Sequence, residues 1–212
     1  MILSKKNTLI ILDWDDTLFP TTWVTSGNIN IKNINKNAIL MNYFNNLDIE
    51  LHELFKHLNN LGDVIIVTNA QLNWINISLS ILPLTSKFIN TNKNKSNKPI
   101  KVISARAYAS EQSLNPNDWK HITFEYIMYD AYQNKGYNNV ISIGDADYEY
   151  KALVNLYSHD KKKYKLLKSV KFIKYPPKEV LIDQIKVVKR VIKKVCIMKK
   201  HLDLNFKEIS RD

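Results

Sequence analysis

The chain has 212 residues, 45% of them hydrophobic and 24% charged, inside the range of an ordinary soluble globular domain, so a single domain over 1–212 is expected. This composition excludes collagen, coiled coil and wholesale disorder, and a single cysteine, Cys196, excludes an internal disulfide framework or a cysteine-built zinc site. Thirty-one Lys and Arg against twenty Asp and Glu leave a net charge of +11, a balance that suits phosphorylated ligands, nucleic acid or an anionic surface. Lys, Asn, Ile and Tyr are all abundant and Gly numbers only four, a bias that AT-rich coding produces without any binding role, so nucleic acid is the less favoured partner. No stretch approaches the ~20 apolar residues of a membrane span, and the first residues lack the features of a secretory signal. A cytoplasmic protein with no membrane partner is expected; the oligomeric state is not legible.

Leu9 to Leu12 is a short apolar run that reads as a buried first strand. The Asn-rich stretch from Phe19 to Asn46 carries no assignable pattern. Leu47, Leu51, Leu54, Phe55, Leu58 and Leu61 follow helical spacing and stop at Gly62. Val64 to Val67 is a second strand, followed by a helix from Gln71 to Leu82 that Pro83 ends. Asn90 to Pro99 is a low-complexity Asn/Lys surface loop. Lys101 to Ser104 is a third strand, and Asp118 is placed to cap a helix from Trp119 to Gln133. Val140 to Ile143, a helix from Tyr148 to Tyr157, and Val170 to Ile173 complete five strands. The longest helix starts at Lys178 and runs to about Lys200. Its Leu181, Ile185, Val188, Ile192 and Val195 form an apolar stripe among Lys186, Lys189, Arg190, Lys193 and Lys194, so residues 177–205 are expected to form an amphipathic basic C-terminal helix packed on the domain. Strands alternating with helices specify an α/β fold: a doubly wound, Rossmann-like, mostly parallel sheet of about five strands with helices on both faces and right-handed crossovers.

Ligands of such sheets bind beyond the carboxyl ends of the strands, so the residues that follow each apolar run matter most. After the first strand come Asp13, Trp14, Asp15, Asp16 and Thr17; after the second, Thr68 and Asn69; after the fourth, Gly144 and Asp145, with Glu149 four positions on. Alternation puts Asp13 and Asp15 on one side and Trp14 on the other. Carboxylates gathered at one edge repel each other, and a hard cation relieves this; Mg²⁺, with its preference for oxygen ligands, is the expected cofactor.

These residues resemble the haloacid dehalogenase superfamily, whose hallmark Asp-x-Asp-x-Thr is matched by Asp13, Asp15 and Thr17. Thr68 resembles its hydroxyl motif, Lys120 its basic motif, and Gly144-Asp145-x-x-x-Glu149 its acidic motif, over about Leu9 to Pro177. The resemblance implies a Mg²⁺-dependent phosphohydrolase working through an aspartyl-phosphate intermediate. Asp13 would be the nucleophile and Asp15 the general acid and base, an acid at this second position being characteristic of the superfamily's phosphatases. Asp13, the Asp15 carbonyl and Asp145 would hold the metal, with Glu149 supporting its waters and Lys120. Thr68, Asn69 and Lys120 would bind the phosphoryl oxygens, with Arg106, after the third strand, an alternative phosphate-binding cation and Asp147 an alternative to Glu149. Intervals of 68 − 17 = 51 and 120 − 68 = 52 residues between these positions leave no space for a large cap, so an open site acting on a phosphorylated small molecule or macromolecule is expected. The rival expectations are a phosphotransferase and a basic module that binds nucleic acid or protein through Lys161 to Lys174 and the last helix.

Overall fold

The computed structural model describes residues 3–91, 100–131, 136–159 and 165–207. Its elements in chain order are β1 (Thr8–Leu12), α1 (Thr21–Ser26), a 3₁₀ segment (Ile31–Lys36), α2 (Ala38–Leu61), β2 (Asp63–Thr68), α3 (Leu72–Leu79), α4 (Pro83–Thr91), β3 (Lys101–Ser104), α5 (Ala105–Ala109), α6 (Pro116–Glu125) continuing into a π-helical turn (Tyr126–Ala131), β4 (Asn139–Gly144), α7 (Asp147–His159), β5 (Leu166–Lys171), α8 (Lys178–Ile197) and β6 (Leu202–Asn205). Among the described residues the six strands are all parallel, in the order β3-β2-β1-β4-β5-β6.

Every residue of β1 is buried, because the sheet is covered on both faces. Ile10 and Leu12 face a layer built by α1, the 3₁₀ segment, α2, α3, α4 and α8; Leu9 and Ile11 face the layer of α5, α6 and α7. The chain thus steps from β1 to β2 and β3 over one face and returns to β4 and β5 over the other. This makes the adjacent pair β1 and β4 the switch point at which outgoing connections part and leave a crevice.

Several expectations are corrected. A sixth strand exists inside the stretch expected as the C-terminal helix: α8 stops at Ile197, and Leu202–Asn205 is a largely exposed edge whose composition carries no apolar run. The β5–α8–β6 connection steps in the same direction as β4–α7–β5 but over the opposite face, so the two crossovers differ in hand and the last stands apart from the other four, which share one hand. β5 starts at Leu166, not Val170, because Lys168 lies inside it; this lysine is buried and its ammonium donates to the carbonyls of Val195 (2.8 Å) and Cys196 (2.9 Å) at the end of α8. α3 stops at Leu79, short of the expected Leu82, so Pro83 opens α4 rather than ending α3; the Asp48 carboxylate caps α4 from α2, accepting the N–H groups of Leu84 and Thr85 at 2.8 Å each. Asn115 caps α6; Asp118 accepts instead from Ser113 Oγ at 2.7 Å. The end of the expected 119–133 helix and most of the Asn/Lys loop, 92–99, lie outside the described residues. The unassigned 19–46 stretch supplies α1, the 3₁₀ segment and the start of α2, and buries Phe19, Val24, Ile31, Ile34 and Phe44 in the core. Those described residues pack into the domain body and form no separate cap.

Candidate active site

The site forms where β1 and β4 end side by side. The Asp13 N–H donates to the Ile143 carbonyl at 2.9 Å, which carries the β1 ladder one residue beyond the strand and fixes Asp13 beside the Gly144-Asp145 turn. A tight turn follows: the Leu18 and Phe19 N–H groups return to the Trp14 carbonyl at 2.8 and 2.9 Å, and Asp16 takes a left-handed φ of 53°. Asp13 and Asp15 turn to one cavity of about 170 Å³, while Trp14 turns into the core and donates from its indole to Ser78 Oγ at 3.0 Å. Asp16, Asn69, Lys120, Asp145, Tyr148, Lys174 and Tyr175 also line this cavity.

Lys120 reaches it from α6. Its side chain is only 2% exposed, so its charge survives burial only through partners. The ammonium stands 2.6 Å from Asp13 Oδ1 and donates to Glu149 Oε1. Glu149 Oε2 accepts from the Ala146 N–H at 3.2 Å, so both of its oxygens are engaged. Gly144 makes this possible, since a Cβ there would lie 2.4 Å from Glu149 Cγ. Burial works against the Lys120 charge, but the carboxylates of Asp13 and Glu149 outweigh it and raise its proton affinity above the ordinary lysine value. Burial also drives the Asp13 carboxyl well above the usual range; Lys120 opposes this, and Glu149, Asp145 and Asp15 add to it. Burial, with the Glu149 carboxylate beside it, pushes Asp145 up to about 7. Thr17 ties the two loops together, its hydroxyl donating to Asp145 Oδ1 at 3.2 Å.

The Asp15 carboxylate accepts from Trp74 Nε1 at 2.8 Å and from the Thr21 hydroxyl on Oδ1, and from Thr68 Oγ1 at 3.1 Å on Oδ2. The Thr68 hydroxyl also accepts from the Ala70 N–H at 3.0 Å. Among the expected site residues, Asp13, Asp15, Asn69, Lys120 and Asp145 meet at the cavity. Thr68 and Glu149 stand directly behind it, each held to a lining residue. Arg106 does not come to it: the side chain is exposed and its guanidinium lies 5.8 Å from the Trp119 ring. Asp147 is likewise exposed and pairs with Lys171. Sequence reasoning missed Trp74 and Thr21, which hold Asp15, and Tyr148, Lys174 and Tyr175 at the rim; Tyr175 takes a left-handed φ of 51°, strained for an aromatic residue. None of these belongs to a motif, and only the fold brings them together.

A hard cation fits this donor set. Asp13 Oδ1 is buried and, apart from the Lys120 ion pair, receives no aligned hydrogen bond, and burial disfavours the charge on both Asp13 and Asp145. Among the described residues no three His, Cys, Asp or Glu side chains gather closely enough to hold an ion unaided. The carboxylates of Asp13 and Asp145, completed largely by water, are the kind of sparse oxygen set Mg²⁺ accepts. Neither Glu149 nor the Asp15 carboxylate, each engaged elsewhere, belongs to it.

No protein-family model, curated protein or solved structure matches the chain. Among the described residues no helix is long and apolar enough to cross a membrane.

Proposed function

We propose that the chain is a Mg²⁺-dependent phosphohydrolase of the haloacid dehalogenase type, acting through an aspartyl-phosphate on Asp13. The observation that carries this reading is the buried Asp13 carboxylate, paired with the buried Lys120 ammonium at 2.6 Å, in one cavity with Asp15 and Asp145 at the sheet's switch point. Asp13, Asp145 and the Asp15 carbonyl would hold the Mg²⁺. When bound it would offset phosphoryl charge and favour the ionised form of Asp13.

The chain's own groups supply the rest. Lys120 opposes the rise in proton affinity that burial imposes on Asp13, and its ammonium faces the charge that grows on the phosphoryl oxygens. Asp13 attacks phosphorus; the bond to the leaving oxygen breaks, and that oxygen takes a proton from Asp15. Asp15, now a carboxylate, removes a proton from water, which attacks phosphorus and releases phosphate and free Asp13. Glu149 and Thr68 act behind the cavity, one fixing Lys120 and the other Asp15.

The test is phosphate release from an aryl phosphate with and without Mg²⁺. Release that needs the metal and disappears in Asp13→Asn is expected; activity that persists in this variant would contradict the mechanism.

A further inference from the structure

We propose that Trp74 is a positioning residue that decides which oxygen of Asp15 carries the catalytic proton; this rests on the acid–base role read for Asp15 above. Trp74 stands in the first turn of α3, six residues beyond Thr68. Its indole N–H donates to Asp15 Oδ1 at 2.8 Å, and the Thr21 hydroxyl donates to the same oxygen. The two donors are not equivalent. A hydroxyl can rotate and accept, whereas an indole N–H can only donate; because the C=O oxygen of a carboxyl accepts a hydrogen bond better than its O–H oxygen, Trp74 holds Oδ1 as the acceptor.

The proton that Asp15 gives to the leaving oxygen, and later takes from water, therefore resides on Oδ2. The neighbour of Oδ2 suits that duty. Thr68 Oγ1, 3.1 Å away, donates to Oδ2 when Asp15 is ionised and turns its hydrogen aside when Oδ2 is protonated, keeping its bond from the Ala70 N–H in both states. One oxygen is thus fixed and the other is free to exchange a proton.

Packing holds the indole in place. Phe19 meets the Trp74 ring edge-on at 5.9 Å, and Phe19 bridges back to Asp15 while its carbonyl accepts the Asp16 N–H at 2.7 Å. The donor, its packing partner and the carboxylate form one rigid unit, the arrangement that keeps a catalytic group in a single geometry.

Trp74→Phe keeps the ring and removes the N–H. Two substrates separate a positioning role from a structural one: a dinitrophenyl phosphate, whose leaving group departs without a proton, and an alkyl phosphate, whose leaving group needs one. With the alkyl ester kcat is expected to fall about 10-fold or more at unchanged KM. With the dinitrophenyl ester the pre-steady-state burst of phenolate, which reports transfer to Asp13 alone, should keep its rate, whereas the turnover that follows, in which Asp15 takes a proton from water, should fall. Thr21→Val, which removes the rotatable donor, should show the same pattern more weakly. Independently of turnover, the Trp74 indole N–H signal in the NMR spectrum, assigned by its loss in Trp74→Phe, should move upfield in Asp15→Asn as its charged acceptor is lost. A single-turnover transfer rate that falls equally with both esters, or an indole signal indifferent to Asp15→Asn, would overturn the proposal. A wild-type protein that hydrolyses neither ester would overturn the phosphohydrolase reading and the proton assignment with it, while an active wild type with an unaffected Trp74→Phe would overturn the assignment alone.

Discussion

Lys120 carries the largest electrostatic burden of any single side chain at the site. It is buried between Asp13 and Glu149, and no other described cation lining the cavity is buried, Lys174 being exposed. Removing one member of a buried ion pair leaves its partner's charge uncompensated, at a cost of about 3–5 kcal/mol. Lys120→Met is therefore expected to lower the urea midpoint by a corresponding amount as well as to stop turnover; a variant as stable as the wild type would show that the charges are not paired in solution. Asp13, Asp15, Thr68 and Asp145 were legible in the sequence because each ends or follows a strand, and Lys120 because it matches the basic motif of the resemblance upstream of Asp145. Trp74, Thr21 and Tyr175 were not, since their roles depend on which side chains the turn after β1 and the loop after β5 bring across from distant parts of the chain. Arg106 shows the reverse: its position after β3 is correct for a ligand-binding residue, but α5 starts immediately and directs it to Trp119.

At the level of elements, the strands with continuous apolar runs, β1, β2 and β4, stood out, whereas only the end of β5, from Val170, was read and β6 was not read at all. Lys168 masked β5, because a lysine in an apolar strand reads as a boundary. Here it is the donor that satisfies the last carbonyls of α8, with Asn139 Nδ2 adding a bond to the Cys196 carbonyl at 3.0 Å. Lys168→Met keeps the length and removes the donor, so it should destabilise the protein by about 1–3 kcal/mol, the cost of leaving buried acceptors unsatisfied. Urea unfolding monitored by circular dichroism measures this. Unchanged stability would mean that water replaces the ammonium. The cap of α4 was hidden for the same kind of reason, since Asp48 lies 36 residues before the N–H of Leu84 that it accepts.

For the whole molecule, the crevice at the switch point gathers negative charge in a chain whose net charge is +11. This has a consequence for folding. Asp145 is raised from 3.8 to about 7 in the folded, metal-free protein, so the folded state holds a proton that the unfolded state has released. Its contribution to stability is full below about pH 4 and is lost as pH rises through about 7. Between pH 5 and 8 in chelator, the melting temperature of the wild type should fall more than that of Asp145→Asn; parallel curves would contradict the assignment. Mg²⁺, which binds ionised carboxylates, should raise the wild-type melting temperature more at pH 8 than at pH 5. The α/β class, the doubly wound plan and the convergence of strand ends were legible from order alone. The hand of the last crossover was not, because it is set by α8 packing against α2 rather than by any local pattern.

The covalent step on Asp13 is the heart of the account, and trapping it is the most direct test. Protein mixed with a phosphorylated substrate and Mg²⁺, quenched, reduced with borohydride and mapped by peptide mass spectrometry should show Asp13 converted to homoserine, with no conversion when the substrate or the metal is omitted. Turnover without modification of Asp13, or with conversion of a different carboxylate, would contradict it.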